Sequence, residues 1–438
     1  MEKRNSMQKG SPIKLWNSDQ LPKDWFCRQQ VDQKAQAELE FNVKAIINNI
    51  RVEGDKALLD YAQKFDKVHL TASTLKVNPQ EIKEAYLKVT KEQIIAIEFI
   101  KRRVSIFQKQ LLNQTNLRVF NEGIMIQTLL QPLESVGCYV PGGQAAYPST
   151  VVMTALVAKI ANVPRIVLCS PSDSEGHMNP LVLIAADICG ITEIYKIGGA
   201  QAIAALAYGT ETIAPVRKIV GPGSKYVTTA KVLVSQDTAI DMPAGPSEVL
   251  ILADQYADAR LIAYDMISQA EHGTDSVCAL ITPSQKLAQT VQAWLTQLVS
   301  TTPRAEKVSA SLSNYGFIIT CTDIEEAVKL TNQFAAEHLE VMTNDAKKLS
   351  ERLIAGLILI GPYSPVALSD YASGTNHVLP TGGFAQSFSG LSVLDFMRRV
   401  STVECSREGL EKVCTQIKVL TDTEDLPNHS KAIEARFQ

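Results

Sequence analysis

This sequence has little of several things, and each shortage removes a class of function. Its net charge is only −3 across 438 residues, too close to neutral for a nucleic-acid or other polyanion partner. Its most apolar stretches, VVMTALVAKIANV and LVLIAADICGI, carry Lys159 and Asp187 and are short for a membrane span. The first residues, MEKRNSMQKGSPIKLW, hold charge but no apolar core, so no secretory signal is expected there. The eight cysteines show no CxxC and no paired spacing, and most sit beside aliphatic residues, as in VLCSP and IITCT. Buried free thiols in a reducing, cytoplasmic compartment are the expectation. No GxGxxG occurs, and no acidic residue stands at the spacing that would read a ribose hydroxyl.

What the sequence does have is the material for a core. With 45% hydrophobic and 20% charged residues it describes a well-cored globule of two or three domains. Residues 1–30 are polar and turn-rich, with Trp16, Trp25 and Phe26 as isolated apolar anchors, and read as an arm. The stretch 31–122 opens with a helical pattern (Phe41, Val43, Ala45, Ile46, Ile50, then Ala57, Leu58, Tyr61 and Ala62) that runs to about Phe107. From Leu117 the pattern turns strand-like in GIMIQTLL and SVGCYVPGG. Apolar runs ending in glycine or proline then alternate with helical segments: RIVLCSP, EIYKIGG and RKIVGPG, followed by SEVLILAD, SVCALITPS, YGFIITCT and AGLILIGP. The alternation predicts an α/β protein of mostly parallel strands joined by crossover helices. Two similar, incomplete Rossmann-like α/β units are expected, 123–239 and 240–381, with the helices of 31–122 completing the second. From residue 382 onward the strands stop: 393–399, 406–420 and SKAIEARF read as helices of a tail, 382–438, that docks on a neighbour.

The chemistry gathers around residues 241–273, DMPAGPSEVLILADQYADARLIAYDMISQAEHG. Pro243, Gly245 and Pro246 make 241–247 a loop, and Val249, Leu250, Ile251 and Leu252 a strand covered on both faces. From Ala257 a helix is expected, with Leu261, Ile262, Met266 and Ile267 on one side and Gly273 as its stop. Gln269 and His272, three apart, project from one face of that helix at the open end of an α/β unit. His272 suits either a metal or a helix cap there. Glu337 and His338 in FAAEHLEVM lie within a helix or at its end; adjacent helix residues point about 100° apart, so the two can flank one substrate as acid and base or form an exposed polar pair. Asp370 and His377 lie in DYASGTNHVLPTGG, a long polar stretch after an apolar strand. His429 lies near Glu424 in the acidic tail, while His69 and His177 read as surface residues. Together His272, His429, Asp370 and Gln269 offer nitrogen and oxygen donors without a thiolate, which suits zinc or another borderline divalent ion. Three glycine-rich loops at strand ends, VPGG (140–143), IGGAQA (197–202) and VGPGS (220–224), read as tight turns or as backbone cradles for a phosphate.

At these residues the chain resembles the histidinol dehydrogenase family. DMPAGPSE with SQAEHG, KIGGAQAIAALAYGT (196–210), KIVGPGS (218–224), AAEHLE (335–340) and DYASGTNHVLPTGG (370–383) carry the likeness, which covers nearly the whole chain. The resemblance implies a zinc-dependent oxidoreductase of histidine biosynthesis. Such an enzyme takes L-histidinol to L-histidine through L-histidinaldehyde and reduces two NAD in succession, an alcohol and an aldehyde dehydrogenase in one. It implies one zinc per subunit on Gln269, His272, Asp370 and His429, with Glu337 and His338 as the catalytic acid–base pair. Substrate contacts are implied for Ser247 and Glu424, beside His338 and the zinc ligands, and cofactor contacts for Tyr139, Gln201 and Ser224. Ser224 departs from the asparagine common in the family, yet a hydroxyl still donates and accepts a hydrogen bond. The resemblance further implies a cytoplasmic homodimer with exchanged tails, so that Glu424 and His429 serve the partner's site. One rival reading is a zinc hydrolase with Glu337 as base, which leaves the glycine loops idle. The other is a non-catalytic descendant, against which stands the presence of every residue just named.

Overall fold

The computed structural model describes residues 12–22, 25–26, 33–115, 117–142 and 146–438; Cys27, Gly143 of the first glycine loop and most of the arm 1–30 lie outside them. Strand β1 (Lys14–Asn17) comes from the arm, and β2 (Arg118–Asn121) and β3 (Ile124–Pro132) form an antiparallel hairpin. The next five strands, β4 (Ser135–Tyr139), β5 (Arg165–Ser170), β6 (Glu193–Lys196), β7 (Lys218–Val220) and β8 (Ala239–Ile240), make one parallel sheet. A second parallel sheet collects β9 (Glu248–Ala253), β10 (Val277–Thr282), β11 (Phe317–Thr320), β12 (His338–Met342) and β13 (Leu357–Ile360). Finally β14 (Met397–Cys405) pairs antiparallel with β3.

The spatial orders are β6-β5-β4-β7-β8 and β11-β10-β9-β12-β13. Each sheet therefore winds third-second-first-fourth-fifth, the doubly wound half-unit expected for an incomplete Rossmann-like fold. Both are buried on both faces, which is why their strands are continuous apolar runs. In β9, Val249, Ile251 and Ala253 enter one core while Leu250 and Leu252 enter the other. In the first sheet Val136 and Cys138 face one core, and Tyr139, Val167 and Cys169 the other.

Two assignments of segments to sheets are corrected by the packing. The early helices do not complete the second unit. Val43, Ile46, Ile50 and Leu58 cover one face of the first sheet, and Ile97 and Val104 the other. What completes the second sheet is the arm itself: β1 pairs in parallel with β11, and Trp16, Trp25, Phe317 and Phe334 stack together behind it. Sequence pattern assigns a helix to a layer only through its apolar stripe, and that stripe does not say which sheet it meets.

The tail also differs in detail from its helical reading. Residues Met397–Cys405 are a strand, pinned residue for residue to β3 from Met397 opposite Pro132 to Cys405 opposite Ile124. Helices Arg407–Thr423 and Pro427–Glu434 follow and pack on one another, held to the hairpin where Gly409 meets Gly123. Among the described residues no helix is long and apolar enough to cross a membrane. Cys138, Cys169, Cys189 and Cys278 are buried free thiols, as their aliphatic neighbours suggest, whereas Cys405 is exposed.

Candidate active site at the junction of the two sheets

In open parallel sheets a ligand normally meets the carboxyl ends of the strands where the winding reverses. The first sheet follows this rule. Its switch point lies between β4 and β7, and the loops after Val140, Ile197 and Val220 gather at that edge. There Gly221 has φ +119, and a Cβ on it would stand 2.1 Å from the carbonyl oxygen of Tyr139, so only glycine fits. The second sheet does not follow the rule. At its carboxyl edge Asp254 ties the loops after β9 and β12 together, its carboxylate accepting from the backbone N–H of Tyr256 at 3.0 Å and of Asn344 at 2.8 Å. Gln269 and His272, expected at the open end of an α/β unit, follow helix Ala259–Ala270 to the amino edge of this sheet, where Glu337 and His338 also lie.

A loop carries the chain from one edge to the other. It begins at Asp241, whose carboxylate accepts from the N–H of Gly221 at 2.8 Å and of Met242 at 2.8 Å and pairs with the buried Lys231 ammonium. Lys231 donates in addition to the Gly221 carbonyl at 2.9 Å. The Thr228 hydroxyl then donates to the Ala244 carbonyl at 2.6 Å, and the Gly245 N–H to the Thr381 hydroxyl at 2.5 Å. From the far side, Asn376 donates to the Met153 carbonyl at 2.7 Å and His377 Nε2 lies 3.4 Å from the Thr150 hydroxyl. The carboxyl edge of the first sheet thus abuts the amino edge of the second.

Glu337 and His338 stand at this junction, and not on a helix. Helix Ile324–Phe334 ends at Ala335, which adopts φ +47, and the chain reverses into β12 with His338 as its first residue. The run FAAEHLEVM has a helical pattern only up to Phe334. Its second half pairs with Val249 and its neighbours in β9, a partner that local pattern does not reveal. Both side chains are buried, so the exposed-pair alternative is excluded. Glu337 Oε2 accepts from the N–H of Glu248 at 2.7 Å, and His338 Nδ1 lies 3.3 Å from the Glu248 carbonyl oxygen. On its other side His338 Nε2 is 3.6 Å from Asp370 Oδ1, and both atoms are buried without a hydrogen-bond partner. Burial works against charge on this imidazole, yet the carboxylates of Glu337 and Asp370 outweigh it and hold His338 up at about 10. Asp370 in turn is pushed up by burial but drawn below the usual carboxylate range by His338, His377 and His272.

The remaining residues singled out in the sequence divide into three groups. Gln269 is buried in the last turn of helix Ala259–Ala270, and His272 is exposed just beyond that helix rather than on it, its Nδ1 3.3 Å from the Gln269 carbonyl oxygen. Helix Val366–Tyr371, which carries Asp370, packs on helix Ala259–Ala270, so Gln269, His272 and Asp370 share one neighbourhood. Ser247 is half-buried directly before Glu248. Tyr139 and Gln201 are buried at the carboxyl edge of the first sheet, where the Tyr139 hydroxyl accepts from the Gly199 N–H at 3.1 Å, while Ser224 is exposed at the start of helix Lys225–Val234. Glu424 and His429 stand apart from all of these, exposed on the tail. Among the described residues, no group of three or more His, Cys, Asp or Glu side chains of this one chain is placed to hold a metal ion by itself.

Sequence pattern missed Glu248 and Asn376. Glu248 carried a signal, an acid opening a wholly apolar strand, since a charge so placed needs partners.

Residues 28–437 match the family model of histidinol dehydrogenase. The chain is 42% identical to the histidinol dehydrogenase of Methanocaldococcus jannaschii over 398 residues, 90% of this chain and 92% of that protein. It is 43% identical to that of Rhodopseudomonas palustris over 402 residues, 92% of this chain and 93% of that protein. Its backbone superposes on the crystal structure of histidinol dehydrogenase from Elizabethkingia anophelis with a TM-score of 0.91 at 35% identity, covering 98% of each chain.

Behind His338 lies a second pair of carboxyl groups. Glu340, on the same face of β12, accepts from the Val366 N–H at 2.9 Å and meets Asp265, one turn before Gln269. Burial pushes Asp265 up to about 6, and burial with the charge of Asp265 pushes Glu340 well above the usual range, so the pair holds a proton. Because the folded-state values lie above the unfolded ones, this stability is full below about pH 4 and is lost as pH rises through about 6. D265N supplies an amide donor that needs no proton. Its stability relative to the parent, from urea midpoints, should rise steadily between about pH 4 and about pH 7. A difference that does not change with pH would sink the shared-proton assignment.

Proposed function

This chain belongs to the histidinol dehydrogenase family, and from that premise we propose that it oxidises L-histidinol to L-histidine through L-histidinaldehyde with two NAD. The observation that carries the reading is the paired placement of Glu337 and His338 between a glycine-lined carboxyl edge and a cluster of oxygen and nitrogen donors. The donor set fits a borderline divalent ion. Asp370 Oδ1 is buried and unpartnered, and Gln269 and His272 lie beside it without any thiolate. Zinc would be held by Gln269, His272 and Asp370 together with His429 of the partner subunit. Bound there, zinc supplies a template for the substrate's imidazole and amino nitrogens, and NAD supplies the hydride acceptor.

The chain's own groups move the protons. With Nδ1 committed to the Glu248 carbonyl, His338 presents Nε2 as its basic nitrogen, directed to the same space as Asp370. His338 would take the proton of the alcohol on Nε2 in the first oxidation, with Asp370 among the residues that would hold the ion. Glu337 has Oε2 tied to the Glu248 N–H, which leaves Oε1 to draw a proton from water as its oxygen adds to the aldehyde carbon. The resulting gem-diol is the reductant of the second oxidation. Ser247, at the amino end of β9, and Glu424 of the partner subunit would hold the substrate. Tyr139, Gln201 and Ser224 would shape the cofactor side.

The homodimer is supported by surface the single chain leaves uncovered. Val119 and Phe120 on β2, Val403 on β14 and Val419 and Leu420 on the tail are all exposed. A three-stranded sheet and a helix pair without a core of their own need a partner to bury them. The reduced, buried cysteines support placement in the cytoplasm.

Addition of L-histidinol and NAD should give two NADH per histidinol, abolished by a chelator and restored by zinc. No NADH from the zinc-loaded protein would return the hydrolase reading. E337Q should slow oxidation of supplied aldehyde by roughly 10²- to 10⁴-fold, far more than oxidation of the alcohol; equal slowing of both would remove Glu337 from the water-activating role. H429A should lose metal on dialysis with its circular dichroism unchanged. Co-expressed with D370A it should regain activity, because one mixed site then holds both wild-type residues; no recovery would mean that each site is built from one chain.

A further inference from the structure

We propose that Glu248 is the positioning residue of this site, fixing Glu337, His338 and the loop that carries Asp370 through its side chain and its own peptide group together. Glu248 is 2% exposed and opens β9 beside the first residue of β12. Its Oε2 accepts from the N–H of Glu337 at 3.2 Å and its Oε1 from the N–H of Gly382 at 3.0 Å. Its N–H donates to Glu337 Oε2 at 2.7 Å, and its carbonyl oxygen lies 3.3 Å from His338 Nδ1. One residue therefore selects which oxygen of Glu337 and which nitrogen of His338 are turned away from the protein.

The chemistry of these contacts demands a carboxylate. Both side-chain oxygens face backbone N–H groups, and a carboxylate is an acceptor at both. A glutamine would set its NH2 against one of the two N–H donors and lose that bond whichever way the amide lies. Loss at Glu337 frees the backbone that aims its carboxylate. Loss at Gly382 loosens the end of the stretch from Asp370 to Thr381, which is also held by Arg103 on Ala372, Asn376 on Met153 and Thr381 on Gly245. A displacement of about 1 Å at such a site costs on the order of 10²-fold in rate without any change in the groups that react.

The kinetic test rests on the reading of Glu337 as the activator of water, and it is built as a cycle. With zinc in excess, E248Q should slow the aldehyde step by about 10- to 100-fold while the KM for histidinol stays within about two-fold. In the aldehyde step, E248Q should slow E337Q by much less than it slows the parent, because most of the effect of Glu248 on that step passes through Glu337. Multiplied effects, or a loss confined to KM and thermal stability, would overturn the proposal. If E337Q itself leaves the aldehyde step intact, it is the Glu337 reading that falls. The positioning role is then decided by the ring 15N signals of His338, assigned by their loss in H338N. Those signals should move in E248Q, and unmoved signals would overturn the proposal whatever E337Q does. Should E248Q fail to fold, E248D, which keeps both acceptors on a shorter stem, carries the same measurements.

Discussion

The buried ion pair between Lys231 and Asp241 governs where everything else can stand. Both side chains are almost wholly removed from solvent. The pair is viable because every remaining valence is used: Asp241 takes two backbone N–H groups and Lys231 two carbonyls, those of Gly221 and Met242. Either charge left alone in that interior costs about 3–5 kcal/mol, so the pair is a strong constraint even though its net contribution to stability is small. What it constrains is the exit of the chain from the first sheet. With Asp241 fixed beside Gly221, the loop 241–247 must run from the carboxyl edge of the first sheet directly to Glu248, the first residue of β9.

That connection explains an arrangement unusual for doubly wound sheets. Two half-units of the same winding would ordinarily offer two carboxyl-edge crevices. Here Asp254 ties the loops at the carboxyl edge of the second sheet together, and that sheet contributes its amino edge to the junction instead. The amino ends of central strands suit acid–base residues that must be held rigidly. His338 is paired with Val249 on β9 and Leu357 on β13, and Glu337 directly precedes it. A loop of equal length would leave them freer. The facing carboxyl edge supplies backbone N–H groups and glycines, which is what a large anionic cofactor needs.

The strands of both sheets were legible because burial on two faces leaves a mark that survives without context: four to six apolar residues closed by glycine or proline. Three features were not legible for the same reason in reverse, since each depends on a partner far away in sequence. FAAEHLEVM suits a helix or its end until β9 claims its second half, and 393–399 reads as helix until β3 claims the chain from Met397 onward across more than 260 residues. The early helices carry apolar stripes that would suit either sheet, and only packing assigns them to the first. At the site, spacing alone proposed donors of the right kind. It did not bring Asp370 to His338, which lies thirty-two residues earlier on a different element. Glu248 passed unnoticed because a buried acid is visible only once its partners are.

The division of donors also sets the thermodynamics. One chain gathers Gln269, His272 and Asp370, and its own Glu424 and His429 stand exposed on the tail. On the proposed reading, a site completed by the partner makes metal binding and dimer formation one linked equilibrium. Whatever binds the assembled form and not the separated chains stabilises assembly by RT ln(1 + [L]/Kd), and assembly raises metal affinity by the same factor. Dilution and chelation should then act on the same state, each making the other more effective. The uncovered apolar residues of β2, β14 and the tail hold the other half of that linkage, because they fix how strongly the chains associate before any metal is present.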